Sequence, residues 1–73
     1  MPRYQVLCYI RIRIGPSSHY ESVGEYYEGE IINSGGYPFY GEDGNMWVSY
    51  TAYSGATRYV CYSDGFTRYL TEI

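Results

Sequence analysis

The sequence predicts an all-β protein, a small barrel of about five to seven short strands. Runs of aromatic and β-branched residues recur along the 73-residue chain, and such residues favour the pleated strand. Gly, Pro, Asn, Asp and Ser cluster between these runs, at spacings of about ten residues that are typical of all-β barrels. We expect residues 1–73 to form one domain, because a chain of this length builds a single small core.

The segment NMWVSYTAYSGATRYV, from Asn45 to Val60, predicts the hairpin around which the barrel is organised. Two aromatic and β-branched runs, residues 46–50 and 58–62, flank a loop whose only glycine is Gly55. Side chains of this kind are stiff or bulky at χ1, which disfavours a helix. Strand, turn and strand is therefore the simplest interpretation.

A second hairpin is predicted at the tetrapeptide EDGN, residues 42–45. Asp-Gly is a strong short-range signal for a tight turn, and here it lies between Tyr40 and Met46. The aromatic run before it, residues 37–40, contains Pro38, which cannot donate a backbone hydrogen bond. That run therefore suits an edge strand or a loop.

The remaining elements are less regular. From Gln5 to Ile14 apolar and polar residues alternate, which predicts one long strand with Arg11 and Arg13 facing water. Gly, Pro and two serines at residues 15–18 would end that strand. The rest of the chain is predicted to form a loop at 19–24, turns at 25–29 and 63–65, and strands at 30–32 and 66–70.

Charge and hydropathy argue against two classes of partner. The chain has a formal net charge of -3, with five arginines and no lysine, so it lacks the basic surface that binds a nucleic-acid backbone. No apolar run approaches the roughly 20 residues that a membrane span needs, and no signal peptide is recognisable. We therefore expect neither nucleic acid nor a membrane as partner.

Residues that usually carry catalysis are scarce. His19 is the only histidine, and a solvated loop histidine is a simpler interpretation than half of a Cys–His dyad. Cys8 and Cys61 are too few for a zinc site of four ligands, and each lies in a predicted strand as a small apolar residue. A bridge between the two stays open as the alternative. We expect no catalytic residue, no metal site and no cofactor, which indicates a binding module and not an enzyme.

The positive signal for function is the aromatic content. The chain has twelve tyrosines, two phenylalanines and one tryptophan. The tyrosines cannot all be buried, since each phenol hydroxyl needs a partner or water. Rigid rings with a polar end are suited to the walls of a groove. We predict a solvent-open trough that takes an extended peptide, with Glu42 or Asp43 available for an ammonium group. The predicted ligand-binding residues are Tyr37, Phe39, Tyr40, Glu42, Trp47 and Tyr59.

Several segments, in their order and spacing, resemble the bacterial SH3 (SH3b) domains of the lysostaphin and phage endolysin type. The steps N-V-R-x-G-P-S, V-x-G and K-G-x of that family are similar to residues 10–18 (IRIRIGPSS), 23–24 (VG) and 27–30 (YEGE). The steps D-G-x-x-W-V-x-Y, S-G and R-x-Y are similar to residues 42–50 (EDGNMWVSY), 54–55 (SG) and 58–60 (RYV). The resemblance covers residues 10–62 of the chain.

The resemblance implies an SH3-like β-barrel without catalytic activity. Such a domain targets a peptidoglycan hydrolase, as in a phage endolysin or a bacteriocin-like lysin, to the Gram-positive cell wall by binding peptidoglycan peptide. The resemblance places the groove around Tyr40 and Tyr59. It also implies synthesis in the cytoplasm of a bacterial host and action at the cell wall. The implied partners are cell-wall peptidoglycan and the catalytic domain of a lysin, in the same protein or in an assembly.

Two other functions are consistent with the same residues. The aromatic side chains would also clasp a proline-rich peptide, with Glu21 and Glu25 as an acidic loop for basic ligand residues. Alternatively, the chain is an assembly subunit of a multimeric lysin, in which several copies add avidity. A homo-oligomer is therefore left open.

Overall fold

Eight short strands form the regular structure of the part of the chain that the computed structural model describes, residues 2–34 and 36–73. They are β1 (Arg3–Val6), β2 (Ile10–Arg13), β3 (Ser22–Tyr26), β4 (Ile31–Asn33), β5 (Phe39–Tyr40), β6 (Met46–Thr51), β7 (Thr57–Ser63) and β8 (Leu70–Glu72). One antiparallel sheet has the strand order β4-β1-β8 and the other the order β3-β2-β7-β6-β5. The predicted all-β class is confirmed, but the described residues form eight strands in two sheets where the sequence predicts about five to seven. None of the described segments is a helix long and apolar enough to cross a bilayer.

Both predicted hairpins are present. β6 and β7 pair with Trp47 opposite Cys61, and Gly55 has a φ of 87° in the loop between them. β5 and β6 pair with Phe39 opposite Trp47, and Gly44 has a φ of 84° in the turn. Side chains with a Cβ disfavour this left-handed backbone, so glycine fixes the geometry of both connections.

The single strand predicted from Gln5 to Ile14 is wrong. It is split into β1 and β2, which belong to different sheets. Val6 lies opposite Leu70 of β8, and the N–H of Leu7 donates to the carbonyl of Tyr69 at 2.9 Å. The chain then leaves that sheet and pairs with β3 instead. Strands commonly change sheet at a bend of this kind. Alternation of apolar and polar residues can continue through a bend and therefore does not reveal it.

The prediction of an irregular loop at residues 19–24 is also wrong for its second half, which belongs to β3. The turn predicted at residues 25–29 likewise begins later, after β3 ends. Pairing with β2 overrides the weak strand propensity of the Ser, Gly and Glu in this segment. Gly24 lies opposite Ile12 in the ladder. A Cβ at Gly24 would lie 3.2 Å from Cδ1 of Ile12, so the glycine makes room for an apolar side chain of β2.

The hydrophobic core is formed by residues from both sheets. Its most deeply buried members are Tyr4, Val6, Ile10, Ile32, Val48, Val60 and Leu70. Polar groups next to this core have partners, since an unpaired buried hydroxyl would cost free energy. The hydroxyl of Tyr4 donates to the carbonyl of Gly36 at 3.1 Å. Ser34 Oγ donates to the carbonyl of Ser49 at 2.6 Å and so ties the end of β4 to β6.

The turn between β7 and β8 is organised by Asp64. Its Oδ1 accepts the N–H groups of Phe66 at 2.9 Å and Thr67 at 2.7 Å, and its Oδ2 accepts the hydroxyl of Tyr69 at 2.6 Å. The hydrogen bond from Tyr69 and those from the two backbone N–H groups lower the pKa of Asp64 to about 2. The closing strand begins after this turn, whereas the sequence predicts it at residues 66–70.

The lowered pKa of Asp64 makes the stability of the fold depend on pH. The folded chain keeps this carboxylate ionised at pH values where the unfolded chain, with a pKa near 3.8, binds a proton. The contribution of Asp64 is therefore complete well above pH 3.8 and is lost as the pH falls towards 2. We expect the difference in free energy of unfolding between the native chain and Asp64→Asn, measured in urea, to shrink over this interval. A difference that does not change below pH 3.8 would contradict this role.

Candidate functional site

The candidate site lies on the face of the five-stranded sheet that points away from the core. Val48 and Val60 lie opposite each other and are fully buried in the core. Side chains alternate along a strand, so Trp47 and Cys61 point to the other face. Phe39 lies opposite Trp47 in the ladder and shares that face. We call this surface the outer face, and its members include Arg13, Phe39, Trp47, Tyr59 and Cys61.

A groove of about 380 Å³ runs into the outer face. Its volume lies within the range of about 300–1,000 Å³ that is usual for ligand pockets. Polar and apolar side chains both contribute to its walls, among them Tyr9, Arg11, Arg13, Trp47, Asp64 and Tyr69. The groove therefore offers apolar contact, hydrogen bonds and charge in one place.

Trp47 forms the floor of this groove. Only 2% of its surface is exposed, and its Nε1 donates to Asp43 Oδ1 at 2.9 Å. The same carboxylate accepts the N–H of Asn45 at 3.0 Å and the N–H of Ser18 at 3.2 Å. Burial disfavours the ionised form of Asp43, but these hydrogen bonds outweigh it and hold the pKa of Asp43 below its ordinary value. A charged side chain from the Asp-Gly turn thus fixes the orientation of the indole.

The loop that follows β2 is held against the β5–β6 turn and forms one wall of the groove. The N–H of Glu42 donates to the carbonyl of Pro16 at 3.0 Å, and the hydroxyl of Tyr20 donates to the Glu42 carboxylate at 2.8 Å. Arg13 Nη1 donates to the carbonyl of Tyr20 at 2.9 Å. This wall, which includes Ser18, is therefore fixed to the sheet by polar contacts from both of its ends.

Three of the predicted ligand-binding residues meet on the outer face. The rings of Phe39 and Tyr59 pack edge to face with centroids 6.2 Å apart. Trp47 is the third, directly opposite Phe39 in the ladder. Because Trp47 is covered by its neighbours, it shapes the groove more than it offers an open ring to a ligand.

The other predicted site residues lie apart from this ring pair. Tyr40 follows Phe39 in β5 and therefore points to the opposite side of the strand, with 75% of its surface exposed. Tyr37 precedes β5 and is also largely exposed. Glu42 and Asp43, the predicted partners of an ammonium group, each accept hydrogen bonds from within the chain. They act here as supports of the groove wall and floor.

Sequence reasoning did not single out Tyr9, Arg11 and Arg13, which line the groove. The alternation along β2 assigns both arginines to solvent, but Arg13 is half-buried beneath the loop that follows its own strand. The signal that points to them is their spacing of two residues, which places both on one face of β2. The spacing does not reveal that β7, β6 and β5 follow β2 in the sheet and continue the same face.

The two cysteines are separate thiols, and burial holds one of them in its protonated form. Cys8 and Cys61 are free thiols, both half-buried, so the alternative of a bridge between them is not realised. Burial raises the pKa of Cys61 to about 11, and the protonated thiol is a poor nucleophile compared with the thiolate. Within residues 2–34 and 36–73, no group of three His, Cys, Asp or Glu side chains is arranged to hold a metal ion.

Comparison of the chain with protein-family models, with curated proteins and with solved structures found no match. The resemblance to SH3b domains therefore stays a prediction from residues 10–62.

Proposed function

We propose that this chain is a non-catalytic binding module that holds a peptidoglycan hydrolase at the Gram-positive cell wall by binding an extended peptide of the peptidoglycan on its outer face. The observation that supports the proposal is the ring pair of Phe39 and Tyr59 beside the groove floored by Trp47. Its partners are the wall peptide and the catalytic domain of a lysin, in the same protein or in an assembly.

The outer face offers a peptide two kinds of contact. The ring pair of Phe39 and Tyr59 provides apolar area from side chains that lose little entropy when they are fixed. The groove adds hydrogen-bonding groups from Ser18, Asn45 and Tyr9 for the amides of the ligand. Apolar walls with a few polar groups are the usual composition of a site that binds and orients an extended ligand.

A proline-rich peptide is the second candidate, because an aromatic ring pair also clasps a polyproline II helix. A proline-rich ligand that carries basic residues needs acidic side chains next to the rings that are free to pair with those residues. Glu25, one of the acidic residues available, accepts the hydroxyls of Tyr9 at 2.9 Å and of Tyr27 at 3.2 Å. The groove itself presents two arginines, Arg11 and Arg13. This charge distribution favours a wall peptide over a basic proline-rich one.

Removal of the ring pair tests the proposal. We expect Phe39→Ala combined with Tyr59→Ala to weaken binding to purified Gram-positive walls by about tenfold or more, as loss of aromatic residues at the centre of an interface commonly does. Sedimentation of a fluorescent fusion with the walls measures this, and circular dichroism checks that the variant remains folded. A proline-rich peptide is titrated in parallel.

Tyr53→Ala is the matched control. Tyr53 is a fully exposed ring in the loop between β6 and β7, and it does not line the groove. We expect this variant to sediment with the walls as the native chain does. The proposal fails if the double variant also sediments unchanged, or if the native chain binds the proline-rich peptide and not the walls.

A further inference from the structure

We infer that the groove on the outer face contains a carboxylate-binding end, formed by the guanidinium groups of Arg11 and Arg13, and that it takes a carboxylate of the bound wall peptide. The inference rests on the proposed function, since its ligand is the same peptide. It adds the chemical group on that peptide which sets its position along the groove.

The side chains that line the groove carry a formal charge opposite in sign to that of the chain. The chain carries a formal net charge of -3, yet two of its five arginines line the groove, together with one carboxylate, that of Asp64. Arg11 and Arg13 are two residues apart on β2, so both side chains lie on the outer face. Arg13 also lies opposite Tyr59 in the ladder. A peptide that packs on the ring of Tyr59 therefore extends towards the arginines.

The carboxylates around the groove are hydrogen-bonded to neutral donors. Asp64 accepts the hydroxyl of Tyr69 and two backbone N–H groups, and Asp43 accepts the indole N–H of Trp47. Glu25 lies opposite Arg11 in the β2–β3 ladder and accepts the hydroxyls of two tyrosines. These three carboxylates thus have other hydrogen-bond partners.

The guanidinium donors remain available for a ligand. In the part of the chain that the structure describes, the side chain of Arg13 donates one hydrogen bond, from Nη1 to the carbonyl of Tyr20, and the side chain of Arg11 donates none to another residue. A guanidinium carries five N–H donors in a planar fork. The bond to Tyr20 fixes Arg13 and leaves most of this fork free. A fixed donor loses less entropy when a ligand binds.

The anionic group that a wall peptide offers to this end of the groove is a carboxylate. The guanidinium fork matches the two oxygens of a carboxylate or a phosphate. Peptides carry carboxylates at the C-terminus and on acidic side chains. Either source presents the same two oxygens to Arg11 and Arg13.

Three synthetic stem peptides of peptidoglycan test the inference and separate the two sources. The first is acetylated at the N-terminus and has a free C-terminal carboxylate. The second is the same peptide with a C-terminal amide. The third keeps the free C-terminus and carries glutamine in place of its glutamate. Each is titrated into the native chain, with the fluorescence of Trp47, the only tryptophan, as the readout.

We expect the native chain to bind the first peptide about tenfold or more tightly than one of the other two, each of which has lost one carboxylate, since charge-assisted hydrogen bonds are typically worth this much. The peptide that loses affinity identifies the source. In Arg11→Gln, whose side chain is exposed and whose loss leaves the core intact, we expect this preference to disappear. Arg3→Gln is the matched control, because Arg3 is an exposed arginine on β1 of the other sheet, and it should keep the native preference.

Failure of this inference is distinguishable from failure of the proposed function. If all three peptides bind equally to the native chain and to Arg11→Gln, the peptide-binding role stands and the carboxylate end is refuted. If Arg3→Gln loses the preference as completely as Arg11→Gln does, the effect comes from overall charge and the assigned site is also refuted. If none of the peptides binds, the proposed function and the inference both fall.

Discussion

Asp43→Ala is expected to destabilise the fold by about 3 kcal/mol, because it removes a charged acceptor and leaves a buried donor without a partner. The donor is Nε1 of Trp47, which binds Asp43 Oδ1 at 2.9 Å in a residue that is 2% exposed. The N–H groups of Asn45 and Ser18 lose the same acceptor. Urea unfolding followed by circular dichroism measures the change. Peptide binding should weaken in the same variant, since the floor and one wall of the groove lose their common support.

A double-mutant cycle with Trp47→Phe separates this hydrogen bond from the other effects of the substitution. Phenylalanine fills much of the same space and carries no N–H group, so Asp43→Ala should cost clearly less in the Trp47→Phe background than in the native one. Equal costs in both backgrounds would show that the bond between Asp43 and Trp47 contributes nothing. Native stability in Asp43→Ala itself would show that the turn does not depend on the carboxylate.

Gly41→Ala is expected to destabilise the fold by about 2 kcal/mol, because overpacking at a close contact commonly costs this much. A Cβ at Gly41 would collide with the carbonyl oxygen of Pro16 and with the indole of Trp47, where it would lie 2.8 Å from Nε1. The carbonyl belongs to the backbone and cannot rotate away as a flexible side chain does. The loop after β2 would have to move off the β5–β6 turn, and the groove would lose a wall.

Gly36→Ala provides the matched control for Gly41→Ala. A Cβ at Gly36 would meet no heavy atom within 4 Å, and neither glycine has a positive φ. The two substitutions therefore add the same methyl group to a comparable backbone and differ in the space around it. We expect urea unfolding of Gly36→Ala to follow the native curve within about 0.5 kcal/mol, as substitutions that disturb no packed contact usually do. Equal losses in both variants would contradict the importance of the close contact at Gly41.

The parts of the fold that depend on local chemistry were predictable from the sequence. The Asp-Gly turn at residues 42–45 and the loop around Gly55 contain residues whose own backbone preferences specify a turn, and both hairpins are found there. The division of residues 5–14 into two strands was not predictable, because the bend depends on pairing with segments far along the chain. β3 was not predictable for the same reason, since its pairing with β2 outweighs a composition typical of loops.

The candidate site shows the same division between local and non-local information. Aromatic residues beside predicted turns pointed to Phe39 and Tyr59, which pack against each other. Alternation along β2 assigns Arg11 and Arg13 to water, because it gives the face of a strand and not what covers that face. The loop that borders their face is held by the hydrogen bond from Tyr20 to Glu42, and no sequence pattern specifies that contact.

Chemical-shift mapping is the most direct measurement of peptide binding on the outer face. An isotope-labelled chain is titrated with a peptidoglycan stem peptide while the backbone amides and the indole N–H of Trp47 are followed. We expect the largest shifts at Trp47, Tyr59 and Arg11, on the outer face and in its groove. Shifts centred on the separate cavity lined by Tyr26 and Tyr50 would contradict binding on the outer face.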